Sequence, residues 1–143
     1  MAFYRHNLAL ATREPVQIID LTAAVDSFLK KISARDGLLL IASPHTTLGV
    51  VLNEACDHLE KDMKNFLKKL APPDAKYHHN DVAVDGRPNA HSHLLALVIP
   101  SQATLAVFEG RLQKGSWQSL FAVELDGPRA ERKIHLTFMG ETS

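Results

Sequence analysis

The chain has 143 residues, 16 basic and 16 acidic side chains for a formal net charge of zero, 45% hydrophobic and 22% charged residues. Such a length and composition predict one ordinary globular domain. They exclude a global field pulling the protein toward nucleic acid or an anionic membrane, and the near-zero charge gives little resistance to self-association. A single cysteine, Cys56, excludes an internal disulfide and fits a reducing compartment. No apolar run reaches the length of a membrane span, and Met1 to His6 lacks a signal-peptide pattern. The expectation is a cytoplasmic protein with no membrane and no nucleic-acid partner.

In chain order, Arg5 to Ala11 and Val16 to Asp20 read as short strands around the breaker Pro15. Thr22 is placed to cap a helix from Ala23 to about Ser33, with Val25, Phe28, Leu29 and Ile32 at helical spacing, and Asp36-Gly37 ends it. Leu38 to Ala42 is a continuous apolar run, a buried strand, and Leu48 to Leu52 is a second. Asn53 then reads as the N-cap of a helix running to about Leu70, with Leu59, Met63, Phe66, Leu67 and Leu70 as its apolar stripe. Glu60 and Lys64 make a favourable pair four residues apart, and Pro72-Pro73 stops the helix. Residues 71 to 88 read as a long loop, the kind that is usually functional or mobile. Asn89 to Ile99 reads as a short helix capped by Asn89 that buries Leu94, Leu95, Leu97 and Val98. Strand candidates follow at Ala103 to Phe108, Arg111 to Gln113, Trp117 to Leu125 and Arg132 to Phe138, with turns at Glu109-Gly110 and Asp126-Gly127-Pro128. Helices and strands mix without a regular βαβ alternation, so the predicted class is α+β on a mainly antiparallel sheet or sandwich.

Eight histidines are the chemical signal, gathered mostly around Ser43-Pro44-His45-Thr46-Thr47, Tyr77-His78-His79-Asn80 and Asn89-Ala90-His91-Ser92-His93. Imidazole is both the usual metal ligand and the usual proton shuttle near neutral pH. His78 and His79 point opposite ways on an extended segment, and His91 and His93 lie about 200° apart on a helix, so one of each pair is expected at a shared site. His6, His58 and His135 are read as structural. Thr46 and Thr47 add hydroxyls in a turn suited to phosphate oxygens, although an ST-turn with a surface histidine explains the tripeptide equally well. Asn53, Glu54 and Asp57 are ordinary helix-start residues. Their functional reading rests on the short connection to His45, which would let His45 and Asp57 converge. Trp117 is expected in the core. Glu124 lies in phase with Leu120 and Ala122 and needs a partner, from Arg129 or a histidine. Arg129 itself either binds an anion or anchors that carboxylate. No zinc-finger spacing, His-Glu-x-x-His helix or Gly-rich phosphate loop is present.

The ordered set His45-Thr46-Thr47 with Val50 and Leu52-Asn53-Glu54 and Asp57, then Tyr77-x-His79, Asn89-Ala90-x-x-His93, Gly110-Arg111-Leu112, Gly115-x-Trp117-Gln118, Glu124 and Asp126-Gly127-Pro128-Arg129 resembles the YjbQ-like family, often labelled secondary thiamine-phosphate synthases. The likeness covers nearly the whole chain as one domain. Ser116 stands where the family usually has Thr, Leu52 where it usually has Ile, and 80 to 88 is less typical. The resemblance implies a compact β-sandwich-like α+β fold with flanking helices and a homotrimer. It implies a site of His45, His79 and His93 with Asn53, Glu54 and Asp57 nearby, and it selects His79 over His78 and His93 over His91. It also implies a weak, secondary thiamine-phosphate synthase activity on phosphorylated small molecules, a transferase reaction.

That chemistry expels pyrophosphate and needs positive charge on the leaving oxygens. Thr46, Thr47 and Arg129 are candidate phosphate or cofactor donors, with Gln118 and Glu124 further candidates for the catalytic set. Three histidines would favour zinc, whereas magnesium prefers oxygens, so a divalent metal on His45, His79 and His93 competes with direct phosphate contact. The alternatives are a non-catalytic binding protein for a phosphometabolite or a metal, and a metal-dependent phosphoester hydrolase.

Overall fold

The computed structural model describes residues 1–82 and 85–143. The elements are β1 (Ala2–Thr12), β2 (Gln17–Asp20), α1 (Thr22–Lys31), β3 (Ala34–Ala42), β4 (Leu48–Glu54), α2 (Asp57–Leu70), a 3-10 turn (His78–Asp81), α3 (Ala90–Leu95), β5 (Gln102–Phe108), β6 (Arg111–Leu112), β7 (Gln118–Glu124) and β8 (Arg129–Thr142). They form two antiparallel sheets, one of five strands in the order β1-β8-β3-β5-β6 and one of three in the order β2-β7-β4. The α+β sandwich expected from the sequence is therefore the observed class.

The sandwich follows from period-two alternation. Ile134, Leu136 and Phe138 on β8 are fully buried, as are Leu39 and Ile41 on β3 and Leu120 and Ala122 on β7. With Val25, Phe28 and Leu29 of α1 they make the main core between the sheets. The other face of the three-stranded sheet, Val51, Val123 and the adjoining Leu125, packs on Leu67 and Ala71 of α2 and its end and on Leu95 of α3. β7 is thus covered on both faces, and every residue from Leu120 to Glu124 is buried. Among the described residues no helix covers the opposite face of the five-stranded sheet. Phe3, Arg5, Asn7, Leu40, His135 and Thr137 line a broad open concavity there, and Phe3, Leu38 and Phe108 are exposed.

Several boundaries differ from the sequence reading. The second long helix starts at Asp57 with Cys56 as N-cap, and Asn53 and Glu54 finish the preceding strand. Sheet pairing won over capping propensity: Asn53 pairs with Ser119 and Glu54 with Gln118. Of its expected stripe only Leu67 is buried, while Phe66 and Leu70 are exposed. The Glu60–Lys64 pair forms as expected, at 3.4 Å. Thr22 does not cap α1; its amide is held by Asp20 and its hydroxyl accepts from the Leu120 amide. Asp36-Gly37 lies within β3, not at a helix end, and Gly37 sits against the β8 backbone where a side chain would collide. The third helix is shorter than read and buries Leu95, leaving Leu94, Leu97 and Val98 exposed. Trp117 is 79% exposed rather than in the core. Among the described residues no helix is long and apolar enough to cross a membrane.

Candidate functional site

One end of the sandwich gathers His45, Thr46, Thr47, His79, Asp85, Asn89, His93, Arg129 and Arg132 around an open cavity of about 510 Å³. His45 comes from the β3–β4 connection, His79 from the 3-10 turn, His93 from α3 and the arginines from the start of β8. Folding thus brings the three histidine segments together. His91, two residues from His93 on α3, faces a separate cavity with Pro15, Arg87 and Gly127, as helical spacing requires. The β-turn-like connection is locked locally: the Ser43 hydroxyl accepts from the His45 amide at 3.2 Å.

Below the cavity lies a buried ion pair. Arg132 donates Nε to Glu124 Oε2 at 2.8 Å and Nη2 to Oε1, and its Nη2 also reaches Thr47 Oγ1 at 2.8 Å. Thr12 Oγ1 donates to Glu124 Oε2 at 2.9 Å and the Asp126 amide to Oε1 at 3.0 Å. Both carboxylate oxygens are therefore saturated in a residue that is 0% exposed. Burial alone would raise the Glu124 pKa, but the hydrogen bonds from Arg132 and from the Asp126 backbone, Arg132's charge and Thr12 together lower it. Glu124 does not line the cavity. It holds Arg132 and ties β7 to β8, β1 and the β4 start.

Beside it, Asp126 collects Arg129 Nη2 at 2.7 Å, Arg87 Nη2 at 3.0 Å and Asn89 Nδ2 at 2.8 Å. Burial pushes its pKa up, yet the hydrogen bonds from Asn89, Arg87 and Arg129 outweigh burial and lower it. Arg129 is thus the anchor of a carboxylate, Asp126 rather than Glu124. Arg132, not Arg129 or a histidine, is the partner of Glu124. Arg129 still borders the cavity with its side chain 31% exposed.

The histidines are held differently. His45 Nε2 accepts the Lys133 backbone N–H at 3.0 Å, and burial followed by the charge of Arg132 lowers its pKa. His79 Nε2 meets Asn89 Oδ1 at 3.1 Å, and the His79 and His93 rings stand edge to face with centroids 4.9 Å apart. A zinc or magnesium centre on His45, His79 and His93 does not fit this arrangement. The Nε2 lone pair of His45 is already engaged, its neutral ring carries the proton on Nδ1, and among the described residues no three His, Cys, Asp or Glu side chains converge as an ion's ligands.

The remaining sequence candidates lie elsewhere. Asn53 borders an apolar groove with Met63 and Phe66, and Glu54 and Asp57 line a further depression with Asp20 and Glu60. Gln118 is exposed and accepts from the Gly115 amide at 2.7 Å. The six steps of β4 from Leu48 to Glu54 span roughly 20 Å at the usual strand rise, so within one chain Asp57 does not converge with His45. The connecting segment is short, but it is an extended strand, and that carries Asn53, Glu54, Asp57 and Gln118 to the opposite end.

Sequence reasoning missed Asn89, Asp126 and Arg132. Arg132 had a legible signal, because it falls in phase with buried Ile134, Leu136 and Phe138, just as Glu124 falls in phase with Leu120 and Ala122. Two opposite charges in phase with the two inner faces of a sandwich are a pair in waiting. Asn89 read as a helix cap, but its side chain makes no capping hydrogen bond and is engaged by Asp126 and His79 instead.

The model of the family described as "UPF0047 protein YjbQ-like" matches residues 6–141. A UPF0047 protein of Methanothermobacter thermautotrophicus is 38% identical over 141 residues, covering 99% of this chain and 95% of its own length. The UPF0047 protein YugU of Bacillus subtilis is 32% identical, with 93% and 97% covered. A crystal structure of a YbjQ-like protein of unknown function from Sulfolobus solfataricus superposes with a TM-score of 0.92 at 33% identity, covering 98% of this chain and 99% of the other. A hypothetical protein of Aeropyrum pernix gives 0.90 at 36% identity, with 96% and 99% covered.

Proposed function

The chain belongs to the YjbQ-like UPF0047 family, and from its histidine-lined cavity we propose that it binds the phosphate group of a small molecule and acts on that molecule as an enzyme. The observation that carries this reading is the donor set. With Nε2 of His45 accepting from Lys133, Nδ1–H is the donor that ring offers. Arg129 and the exposed Thr46 border the same space. Imidazole N–H, guanidinium and hydroxyl are donors suited to phosphate oxygens, and the cavity has room for a phosphorylated metabolite.

The reaction this reading favours is the thiamine-phosphate synthase type, joining a pyrimidine diphosphate to a thiazole phosphate with release of pyrophosphate. In it a C–N bond to the thiazole nitrogen replaces the C–O bond to pyrophosphate; His45 and Arg129 would stabilise charge growing on the leaving oxygens, and His79 and His93 would border the bound substrates. The Arg132–Glu124 pair holds the floor rigid. The test is pyrophosphate release from the two substrates by purified protein, alongside complementation of a thiamine auxotroph. No turnover, together with full complementation by His45→Ala, removes the enzymatic reading. Saturable phosphate binding with no turnover leaves the non-catalytic binding reading instead.

We also propose that copies of the chain associate as a homotrimer in a reducing, cytoplasmic setting. The uncovered sheet face bearing Phe3, Leu38 and Phe108 supports association, as does the absence of net charge to oppose it. Sedimentation at several concentrations checks the stoichiometry; a monomer throughout removes it.

A further inference from the structure

We propose that Asn89 is a positioning residue which, held by Asp126, fixes His79 with its proton on Nε2, so that His79 is the proton acceptor of the cavity while His45 is its donor. The inference deepens the phosphate-site reading and rests on it for the identity of the cavity, but its geometry is independent.

The argument is an inventory of donors. Asp126 accepts hydrogen bonds from two guanidinium groups, Arg129 and Arg87, and these together with the Asn89 amide outweigh burial and keep it ionised. An ionised carboxylate only accepts. The Asn89 atom 2.8 Å from Asp126 Oδ2 must therefore be its NH₂ group. That fixes the amide's orientation, normally ambiguous, and leaves the carbonyl Oδ1 facing His79 Nε2 at 3.1 Å. A carbonyl only accepts, so Nε2 carries the hydrogen. In the neutral ring the lone pair then belongs to Nδ1. The same reasoning gives His45 the opposite state, because a backbone N–H can only donate and Nε2 must be the acceptor.

Two imidazoles on one cavity are thus set in complementary states by two unlike devices, a backbone amide for His45 and a carboxylate–amide chain for His79. Such second-sphere fixing of a ring's tautomer is how proton-transfer histidines are oriented. The pairing suits a ligand that presents both an acceptor oxygen and a transferable proton, as a monoprotonated phosphate or diphosphate ester does. It suits a fully deprotonated anion less well. Asn89 has the position to do this because its side chain makes no helix-capping bond and is buried between the two partners.

The experiment is nitrogen NMR of the full chain labelled with ¹⁵N-histidine, at a pH where the rings are neutral. His79 and His45 are assigned by the signals missing from His79→Gln and His45→Gln. The expected result is a proton on Nε2 of His79 and on Nδ1 of His45. In Asn89→Leu, which keeps side-chain bulk and removes both hydrogen bonds, the His79 Nε2–H signal is expected to be lost to exchange with water while the His45 N–H signal stays. A packing role for Asn89 would not single out one ring in this way. A proton on Nδ1 of His79 in the wild type overturns the proposal without any variant, as does an unchanged His79 signal in Asn89→Leu. Titration with inorganic phosphate is read separately: expected tautomers with no phosphate binding count against the phosphate-site reading and leave the positioning role standing.

Discussion

The two ends of the three-stranded sheet carry similar residue types and treat them in opposite ways. At the Leu48 and Glu124 end, carboxylates, arginines, amides and imidazoles are buried or half-buried and hydrogen-bonded into one network. At the Glu54 and Gln118 end, Asn53, Glu54, Asp57 and Gln118 are exposed, and the hydrogen bonds Asn53 and Gln118 make are local turns. The difference teaches where to look for a built site. Desolvating a charge is costly unless every lone pair and proton is matched, so the matched end is over-determined in geometry and the wet end is not.

The largest way to break this contrast is Arg132→Met. It leaves Glu124 as an unpaired buried carboxylate and is expected to cost about 3–5 kcal/mol in urea unfolding. Adding Glu124→Leu should recover much of that loss, since an apolar pair is often tolerated where a half-pair is not. An equal or greater loss in the double variant would mean that the pair's ties to Thr12 and Thr47 matter more than its charges.

The next effect is on acid stability. Glu124 and Asp126 both have folded pKa values below their ordinary 4.5 and 3.8. A carboxylate whose pKa is lowered by folding contributes stability that is fully present above its unfolded value and is lost as pH falls through the folded one. Stability should therefore fall as pH drops from about 4.5 downward, and Glu124→Gln should flatten that acid limb while lowering stability at neutral pH. A limb as steep in Glu124→Gln as in wild type would assign it to other groups.

A smaller effect is expected on binding. His45→Ala removes one hydrogen bond to a charged ligand, about 1.5 kcal/mol or roughly tenfold in phosphate affinity by calorimetry. Chelation of divalent metals should leave that affinity unchanged, and a chelator-sensitive Kd would restore the metal reading. The smallest effect is predicted for the other end. Asn53→Ala and Gln118→Ala should each change stability by no more than about 0.5 kcal/mol and leave phosphate binding by one subunit as it was. If the Asn53 or Gln118 variant weakens phosphate binding in the assembled protein, the far end of a neighbouring copy contributes to the site.

What the sequence made legible was what alternation and apolar runs encode. The β8 pattern of Ile134, Leu136 and Phe138, a strand over Leu38 to Ala42 and the antiparallel class all follow from local pattern, although only Leu39 and Ile41 of that run are buried and Leu38 is exposed. That the three histidine segments share a site was legible from their grouping, and helix geometry required that only one of His91 and His93 face it; which one followed from the family resemblance. What was not legible was the outcome of competition. Asn53 has a good capping side chain, but β7 offered it a strand partner first. Asn89 has the same capping propensity, but Asp126 and His79 engage its side chain instead. Trp117 reads as core, yet it precedes the strand in an exposed turn. In each case a long-range neighbour outbid a local preference, and single residues do not announce such neighbours.

The Thr12–Glu124–Arg132–Thr47 tie has one further consequence. The two sheets share no strand, and this knot of side chains ties one layer to the other at the end that holds the cavity. The sandwich is riveted like a hinge at the site, while the other end exposes Asn53 and Gln118. Partial opening should start near Ser119 and Asn53 and travel toward Glu124, so amide protons around Leu48 and Val123 are the last to exchange. The place that handles the ligand is thereby also the last piece of the protein to come apart.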